Sequence, residues 1–217
     1  MELLQNLALT AVLASVATAA SAQNNLGAIP LAPTQAGKLP AGFQVARTGQ
    51  GAPAAWSVVA DASVLGGQVL AQTSTDQTDY RFPLAIYDGV ASANVEVTVR
   101  FKAVAGRVDR AGGIAVRLAD PDNYYVLRAN ALEDNVNFYR VVKGTRTQIK
   151  GLSTKVSSDV WHTLGIQAEG DNFSVSFDGK LLFTVNDRTF TNAGKVALWT
   201  KADSVTQFAD LTIQKRP

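Results

Sequence analysis

Side chains that donate and accept hydrogen bonds recur on one face of three consecutive predicted strands between Gly112 and Val142. The strands cover residues 114–119, 124–130 and 135–142, and their side chains alternate with a period of two. Guanidinium, amide and phenol groups on a shared face can bond to and stack against polar, ring-shaped ligands. The polar face is predicted to carry Arg117, Arg128, Asn130, Asn137 and Tyr139.

Trp199 offers a stacking surface close to these groups. It alternates with Val196 and Leu198 in its own strand, which predicts that its indole faces the polar side. A sugar can place its apolar C–H face on such a ring while arginine and asparagine bind its hydroxyls. We therefore predict a ligand site built from Arg128, Asn137 and Trp199, with the other polar residues as neighbours. Burial of Trp199 under a loop is the alternative.

Few residues have the types required for acid–base or metal chemistry. Glu96 lies on the polar face of a strand beside Arg100, where it can act as a catalytic acid or base, or pair structurally with an arginine. Asp120 and Asp122 share a turn and offer the hard oxygen ligands of a calcium site, although aspartate also simply stabilises turns. With one histidine and no cysteine, a histidine-rich zinc site and thiolate chemistry are excluded.

Strand patterns begin at Trp56 and continue to Ile213. The run at 94–104 alternates cleanly, and Asp171–Asn172 and Asp178–Gly179 are typical of hairpin turns. No helical period of useful length follows residue 22. About a dozen short strands predict an all-β sandwich or barrel over residues 56–213.

The N-terminal region has a different composition. Residues 1–22 contain an apolar run that ends in Ala20-Ser21-Ala22, which predicts a signal peptide cleaved before Gln23. A buried or anchoring N-terminal helix is the alternative. Residues 23–55 are rich in Pro, Gly, Ala, Asn and Gln, which is typical of a linker and a loosely packed arm. We expect a secreted or periplasmic protein that has no membrane segment after cleavage.

Composition excludes some functional classes. The chain has 217 residues, 47% of them hydrophobic, which is typical of a globular protein. The formal net charge is +2 and the basic residues are scattered along the sequence. Because a nucleic-acid footprint requires a basic stripe, we expect no nucleic-acid partner.

The central and C-terminal strands together resemble a known superfamily. The segments DNYYVLRAN at 122–130, WHTLGIQAEGDNFSVSFDGKLLF at 161–183 and GKVALWTKADSVTQFADLTI at 194–213 are similar to concanavalin A-like lectins and glucanases. Within that superfamily they resemble the 3-keto-disaccharide hydrolase-like branch, which is related to family 16 glycoside hydrolases and laminin-G modules. In relatives a Phe-Asp pair is common near the end, whereas Ala209 separates Phe208 from Asp210 here, an arrangement that a bulge would accommodate.

The resemblance implies a jelly-roll β-sandwich of two antiparallel sheets, with carbohydrate on the concave sheet. Family 16 enzymes carry the pattern E-x-D-x-x-E or E-x-D-x-E, which is absent here; the only glutamates after the signal are Glu96, Glu133 and Glu169. Three functions therefore stay open: an exported carbohydrate-binding domain, a glycoside hydrolase, and a laminin-G-like structural or protein-interaction module.

Overall fold

The computed structural model describes residues 25–31 and 36–217, and this part of the chain forms fifteen β-strands and no helix. The described residues therefore contain no helix that is long and apolar enough to cross a lipid bilayer. The strands are β1 Asn25–Ile29, β2 Phe43–Gly49, β3 Trp56–Ala60, β4 Gln68–Gln72, β5 Arg81–Ser92, β6 Val95–Ala105, β7 Ala111–Asp120, β8 Asn123–Asn130, β9 Asn135–Val142, β10 Thr145–Ser153, β11 Trp161–Glu169, β12 Asn172–Phe177, β13 Lys180–Asn186, β14 Gly194–Trp199 and β15 Val205–Lys215.

The strands form two antiparallel sheets that pack as a jelly-roll β-sandwich, as predicted. The eight-stranded sheet has the order β13-β12-β11-β6-β15-β4-β3, with β1 also paired to β15. The seven-stranded sheet has the order β10-β9-β8-β7-β14-β5-β2, so that the predicted three-strand meander forms β7, β8 and β9 inside it. The register between β15 and β6 shifts between Ala209 and Thr212. This shift is the bulge expected between Phe208 and Asp210.

Alternation of side chains produces the core between the sheets. In β6, Val97, Val99 and Phe101 are fully or almost fully buried, while the residues between them are only partly buried. From the facing sheet, Tyr125 and Leu127 of β8 enter the same cluster. Burial of this apolar surface is the main term that favours folding.

The outer face of the seven-stranded sheet carries a second apolar cluster. Phe82 of β5, Tyr124 of β8 and Trp199 of β14 are each fully buried there, although no second sheet covers them. Phe82 and Trp199 stack with ring centroids 5.3 Å apart. This apolar floor supports the polar residues that lie beside it.

The N-terminal region contributes more to the fold than its composition indicates. Residues 43–49, expected in a linker, form β2, which pairs with β5 from Phe43 to Gly49, and residues 25–29 pair with β15. Backbone hydrogen bonding and burial of Phe43 outweigh the flanking glycines and prolines. The predicted signal peptide lies outside the residues that the structure describes.

Candidate functional site

An open groove of about 510 Å³ lies on the outer face of the seven-stranded sheet, over β8, β9 and β10. This volume is in the range of small-ligand sites in proteins. The groove is lined by Arg128, Glu133, Asn135, Asn137, Tyr139, Arg146, Gln148, Gly151, Leu152 and Ser153. Below, "the groove" means these ten residues.

Strand register places the polar groups of the groove in rows across the sheet. Arg128 of β8 lies opposite Asn137 of β9, and Asn137 lies opposite Gly151 of β10. A Cβ atom on Gly151 would lie 1.9 Å from the Asn137 Oδ1 atom, so only glycine leaves room for this amide. The Asn137 amide lies 2.9 Å from the Tyr139 hydroxyl and 3.3 Å from Arg128 Nη2.

Arg128 is the centre of a buried hydrogen-bond network at one end of the groove. Its Nη2 atom donates to Glu133 Oε2 at 2.6 Å and to Asn135 Oδ1 at 2.7 Å. Its Nη1 atom lies 3.9 Å from Asp109 Oδ2. Such charge-assisted bonds fix the orientation of a guanidinium group. One edge of Arg128 is therefore held by the protein while the residue contributes to the groove wall.

The pKa values of the two carboxylates around Arg128 are shifted in opposite directions. Burial raises the pKa of Asp109, although the positive charges of Arg128 and Lys201 oppose that shift. Burial alone would also raise the pKa of Glu133, but hydrogen bonds from Arg128 and Asn135 outweigh it and lower that pKa. A carboxylic acid whose pKa is lowered by a bound arginine is already ionised at a lower pH than a free one. Glu133 is therefore a poor proton donor at neutral pH.

Arg146 of β10 joins the groove to the apolar floor. Its guanidinium lies 4.5 Å from the ring centroid of Tyr139, 4.8 Å from that of Phe82 and 5.7 Å from that of Trp199. Burial lowers the pKa of Arg146, yet an arginine stays charged at any physiological pH. The floor of the site thus consists of aromatic rings with one cation above them.

Three predicted site residues line the groove: Arg128, Asn137 and Tyr139. Asn130 lies beside it, where its Nδ2 atom donates to Asp109 Oδ1 at 2.8 Å and its Oδ1 atom accepts from the Leu132 backbone. Trp199 is on the predicted outer face but has 0% of its surface exposed. Its indole therefore cannot stack on a ligand in this arrangement, because Phe82, Tyr124 and Arg146 surround it.

Arg117 does not lie on the face predicted for it. Register between β7 and β8 shifts after Val116, and Arg117 has a left-handed φ of 49°. This bulge turns its guanidinium over the ring of Phe173, which belongs to the core between the sheets. There it donates to the carbonyls of Ala93, Phe190 and Gly170. The residue holds loops together at the sandwich rim and is absent from the groove.

The predicted acid–base and calcium residues also lie elsewhere. Glu96 is on the outer face of the other sheet and pairs with Arg216 instead of an arginine of the groove. Asp120 accepts hydrogen bonds from the Asp122 backbone and from the Asn123 amide, which closes the turn. Within residues 25–31 and 36–217, no three histidine or acidic side chains are grouped closely enough to hold a metal ion.

Several groove residues were missed by the sequence prediction. Arg146, Gln148, Gly151 and Ser153 all come from β10, which follows the three-strand meander from which the site was predicted. Arg146 and Gln148 are two residues apart and lie opposite Val141 and Tyr139 of β9. Both residues are predicted when the alternation of polar side chains in the meander is followed into the next strand.

The sequence over residues 87–216 matches the family described as galactocerebrosidase, C-terminal lectin domain. Those residues run from the second half of β5 through the end of β15, and they include every residue of the groove. Among curated proteins, none matches the chain by sequence.

Solved structures with similar folds include a carbohydrate-binding module and an enzyme. The module CBM66 from Bacillus subtilis has a TM-score of 0.61 at 20% identity, covering 80% of this chain and 96% of the module. A β-glucanase from Bacillus licheniformis has a TM-score of 0.57 at 14% identity, covering 88% of this chain and 99% of the enzyme. A protein of unknown function with a galectin-like fold from Bacillus subtilis has a TM-score of 0.53 at 10% identity, covering 80% and 89%. At these identities the likeness concerns the fold.

Proposed function

The chain belongs to the family of the galactocerebrosidase C-terminal lectin domain, and on that premise we propose that it binds carbohydrate in the groove over β8, β9 and β10. The observation that carries the proposal is the chemistry of the groove lining. Eight of its ten residues end in a guanidinium, carboxylate, amide or hydroxyl group, the kinds of group that bond to sugar hydroxyls: Arg128, Glu133, Asn135, Asn137, Tyr139, Arg146, Gln148 and Ser153.

Donors and acceptors are both present within the span of one or two sugar rings. Asn135 and Gln148 are at least partly exposed, and each offers an amide that donates and accepts, which suits the two roles of a hydroxyl group. The side chain of Leu152 lies on the other face of β10, because Leu152 is opposite Val136, which belongs to the core between the sheets. With Trp199 buried as well, the groove offers a ligand little apolar surface. Hydrogen bonds therefore provide most of the recognition.

A binding role is favoured over hydrolysis by the carboxylates. Glycoside hydrolases normally place two carboxyl groups about 5 to 9.5 Å apart across the bond that breaks. Glu133 is the only carboxylate that lines the groove, and its hydrogen bond to Arg128 keeps it ionised. Glu96 lies on the other sheet, too remote to assist Glu133. The glycoside hydrolase alternative, and with it the resemblance to 3-keto-disaccharide hydrolase-like domains, accordingly stays a hypothesis.

Glycan-array screening followed by calorimetry on the hits tests the proposal. Gln148→Ala should weaken the binding of a hit by about fivefold or more, since a neutral hydrogen bond contributes roughly 0.5–1.5 kcal/mol. Gln167→Ala is the matched control, because Gln167 lies on the outer face of the other sheet. Binding to no glycan, or equal loss in both variants, would favour the laminin-G-like structural or protein-interaction module. Release of reducing sugar from a hit by the wild type would favour the hydrolase.

We also propose that the protein is exported and begins at Gln23 after cleavage, on the basis of the apolar run before it. N-terminal sequencing of secreted or periplasmic protein checks this, and Ala22→Arg should block the cleavage. A calcium ion at Asp120 and Asp122 stays a prediction. Its test is a calcium titration followed by thermal melting, with Asp120→Asn as the control; an unchanged melting temperature would contradict it.

A further inference from the structure

Arg146 stands out among the charged groups of the groove because no carboxylate neutralises it. Within the described part of the chain, its guanidinium has no acidic side chain within 4.0 Å, and its contacts are the rings of Phe82, Tyr139 and Trp199. Its Nη1 atom is buried and has no hydrogen-bond partner there. A buried donor without a partner destabilises the structure, and more strongly when the group is charged.

The other charged residues of this region are arranged in pairs. Arg128 is bound to Glu133, and Lys201 forms ion pairs with Asp109 at 3.0 Å and with Asp79. Among the groove residues themselves there are two guanidinium groups and one carboxylate, and that carboxylate is already bound to Arg128. The groove therefore presents a spare positive charge at the position of Arg146.

The surroundings of Arg146 strengthen the effect of this charge. The aromatic floor below it excludes water, so an electrostatic interaction there is screened less than one at an exposed surface. The aromatic rings attract the cation, but they leave its hydrogen-bond donors unused. The charge of Arg128, a second cation on the same groove, adds to that of Arg146, while the carboxylate of Asp109 opposes it. Asp109 is fully buried and already paired with Lys201, so it leaves the donors of Arg146 unused.

We propose that the groove selects glycans that carry an acidic group, a carboxylate or a sulfate ester, and that Arg146 binds this group. The inference rests on the proposed carbohydrate-binding function and specifies its ligand class. The planar guanidinium fork matches the paired oxygens of a carboxylate or sulfate, and such bonds are roughly twice as strong as neutral ones. Asn135, Gln148 and Ser153, whose side chains are at least partly exposed, then contact the hydroxyls of the same ring or the next one.

The test uses glycans that differ only in charge. Trigalacturonate is compared with its methyl ester, and 6-sulfated lactose with lactose, by calorimetry at 20 mM and 500 mM NaCl. We expect the acidic member of one pair to bind about tenfold more tightly at low salt, equivalent to 1.4 kcal/mol. High salt should reduce this preference. Whichever pair shows the preference identifies the acidic group as carboxylate or sulfate.

Variants assign the preference to Arg146. Arg146→Met keeps an apolar stem over the rings, and it should reduce the ratio of acidic to neutral affinity to about one. Arg146→Lys should retain part of the ratio, because a point charge replaces the fork. Arg100→Met is the matched control, since Arg100 pairs with Asp210 on the other sheet and should leave the ratio unchanged. If Arg146→Met fails to fold, the salt dependence and the ester pair still test the proposal on the wild type.

The outcomes separate this inference from the function on which it rests. Equal affinity for acidic and neutral partners overturns the inference and leaves carbohydrate binding in place. If Arg146→Met keeps the preference for the acidic glycan, another residue is responsible for that preference, and the inference is overturned. Binding to neither probe pair overturns the inference, and binding to no glycan on the array as well overturns the proposed function.

Discussion

The guanidinium of Arg146 lies 5.7 Å from the ring centroid of Trp199, and of these two residues only Arg146 lines the groove. The cation and the indole therefore have different roles. Trp199 is fully buried between Phe82 and Tyr124, where its Nε1 atom donates to the Tyr124 hydroxyl at 3.2 Å. Arg146 is the residue that we propose a ligand contacts.

Trp199→Ala should consequently act on stability. Loss of a fully buried tryptophan creates a large cavity and costs about 3–5 kcal/mol of the free energy of unfolding. Urea denaturation followed by circular dichroism measures this change. Trp161→Ala is the control, because Trp161 is only partly buried at the rim of the other sheet and should cost less. A wild-type denaturation midpoint for Trp199→Ala would contradict the burial described here.

Asp109→Ala should also destabilise the fold. Asp109 is fully buried, bonded to Asn130 and paired with Lys201, so its removal leaves these groups without their partner. Breaking a buried ion pair from one side costs about 3–5 kcal/mol. Asp79→Ala removes the other, largely exposed partner of Lys201 and should cost only about 0–1 kcal/mol. Equal denaturation midpoints for the two variants would contradict the proposed importance of burial.

Much of the fold was predictable because it depends on local patterns. The bounds of β9 agree with the prediction at both ends, and the alternation of Arg128, Asn137 and Tyr139 places all three on one face. The turn at Asp178–Gly179 joins β12 to β13 with left-handed φ angles at both residues, as its sequence indicates. In each case, the information lies within a few consecutive residues.

The missed features depend on residues distant in the chain. Arg117 is turned by a bulge where β14 approaches β7 so closely that a Cβ on Gly194 would lie 2.3 Å from the Arg117 carbonyl carbon. Trp199 of β14 is covered in part by Arg146, which belongs to β10 at the edge of the same sheet. Strand alternation gives the face of a residue, but what covers that face is determined by tertiary packing.

Asp203 should make stability depend on pH. Its carboxylate accepts hydrogen bonds from the backbone N–H groups of Arg107, Val108 and Asp109. Burial alone would raise the pKa of Asp203, but these bonds outweigh it and lower the pKa below 3.8. Because the pKa is lower in the folded state, the stabilisation is present above pH 3.8 and is lost as the pH falls below that value.

The measurement compares the free energy of unfolding of the wild type and Asp203→Asn between pH 7 and pH 2. The amide nitrogen of asparagine cannot accept from the backbone donors, so the variant should be less stable at pH 7. The difference should shrink below pH 3.8 as the wild-type carboxylate becomes protonated. A difference that stays constant over the whole range would show that Asp203 is not the source.

Gly151→Ala should impair the groove while leaving the fold intact. The new Cβ atom would lie 1.9 Å from Asn137 Oδ1 and 2.9 Å from Gln148 Nε2, both of which are ends of side chains that can move. Asn137 would then lose its place beside Arg128 and Tyr139. We expect glycan affinity to fall by about tenfold, equivalent to one or two lost hydrogen bonds, with little change in melting temperature.

Gly165→Ala is the matched control, since its Cβ would lie 2.4 Å from Ser176 Oγ on the outer face of the other sheet. Because both substitutions create a clash with a side-chain oxygen, a loss of affinity confined to Gly151→Ala assigns the ligand to the groove, and equal affinities would place it elsewhere.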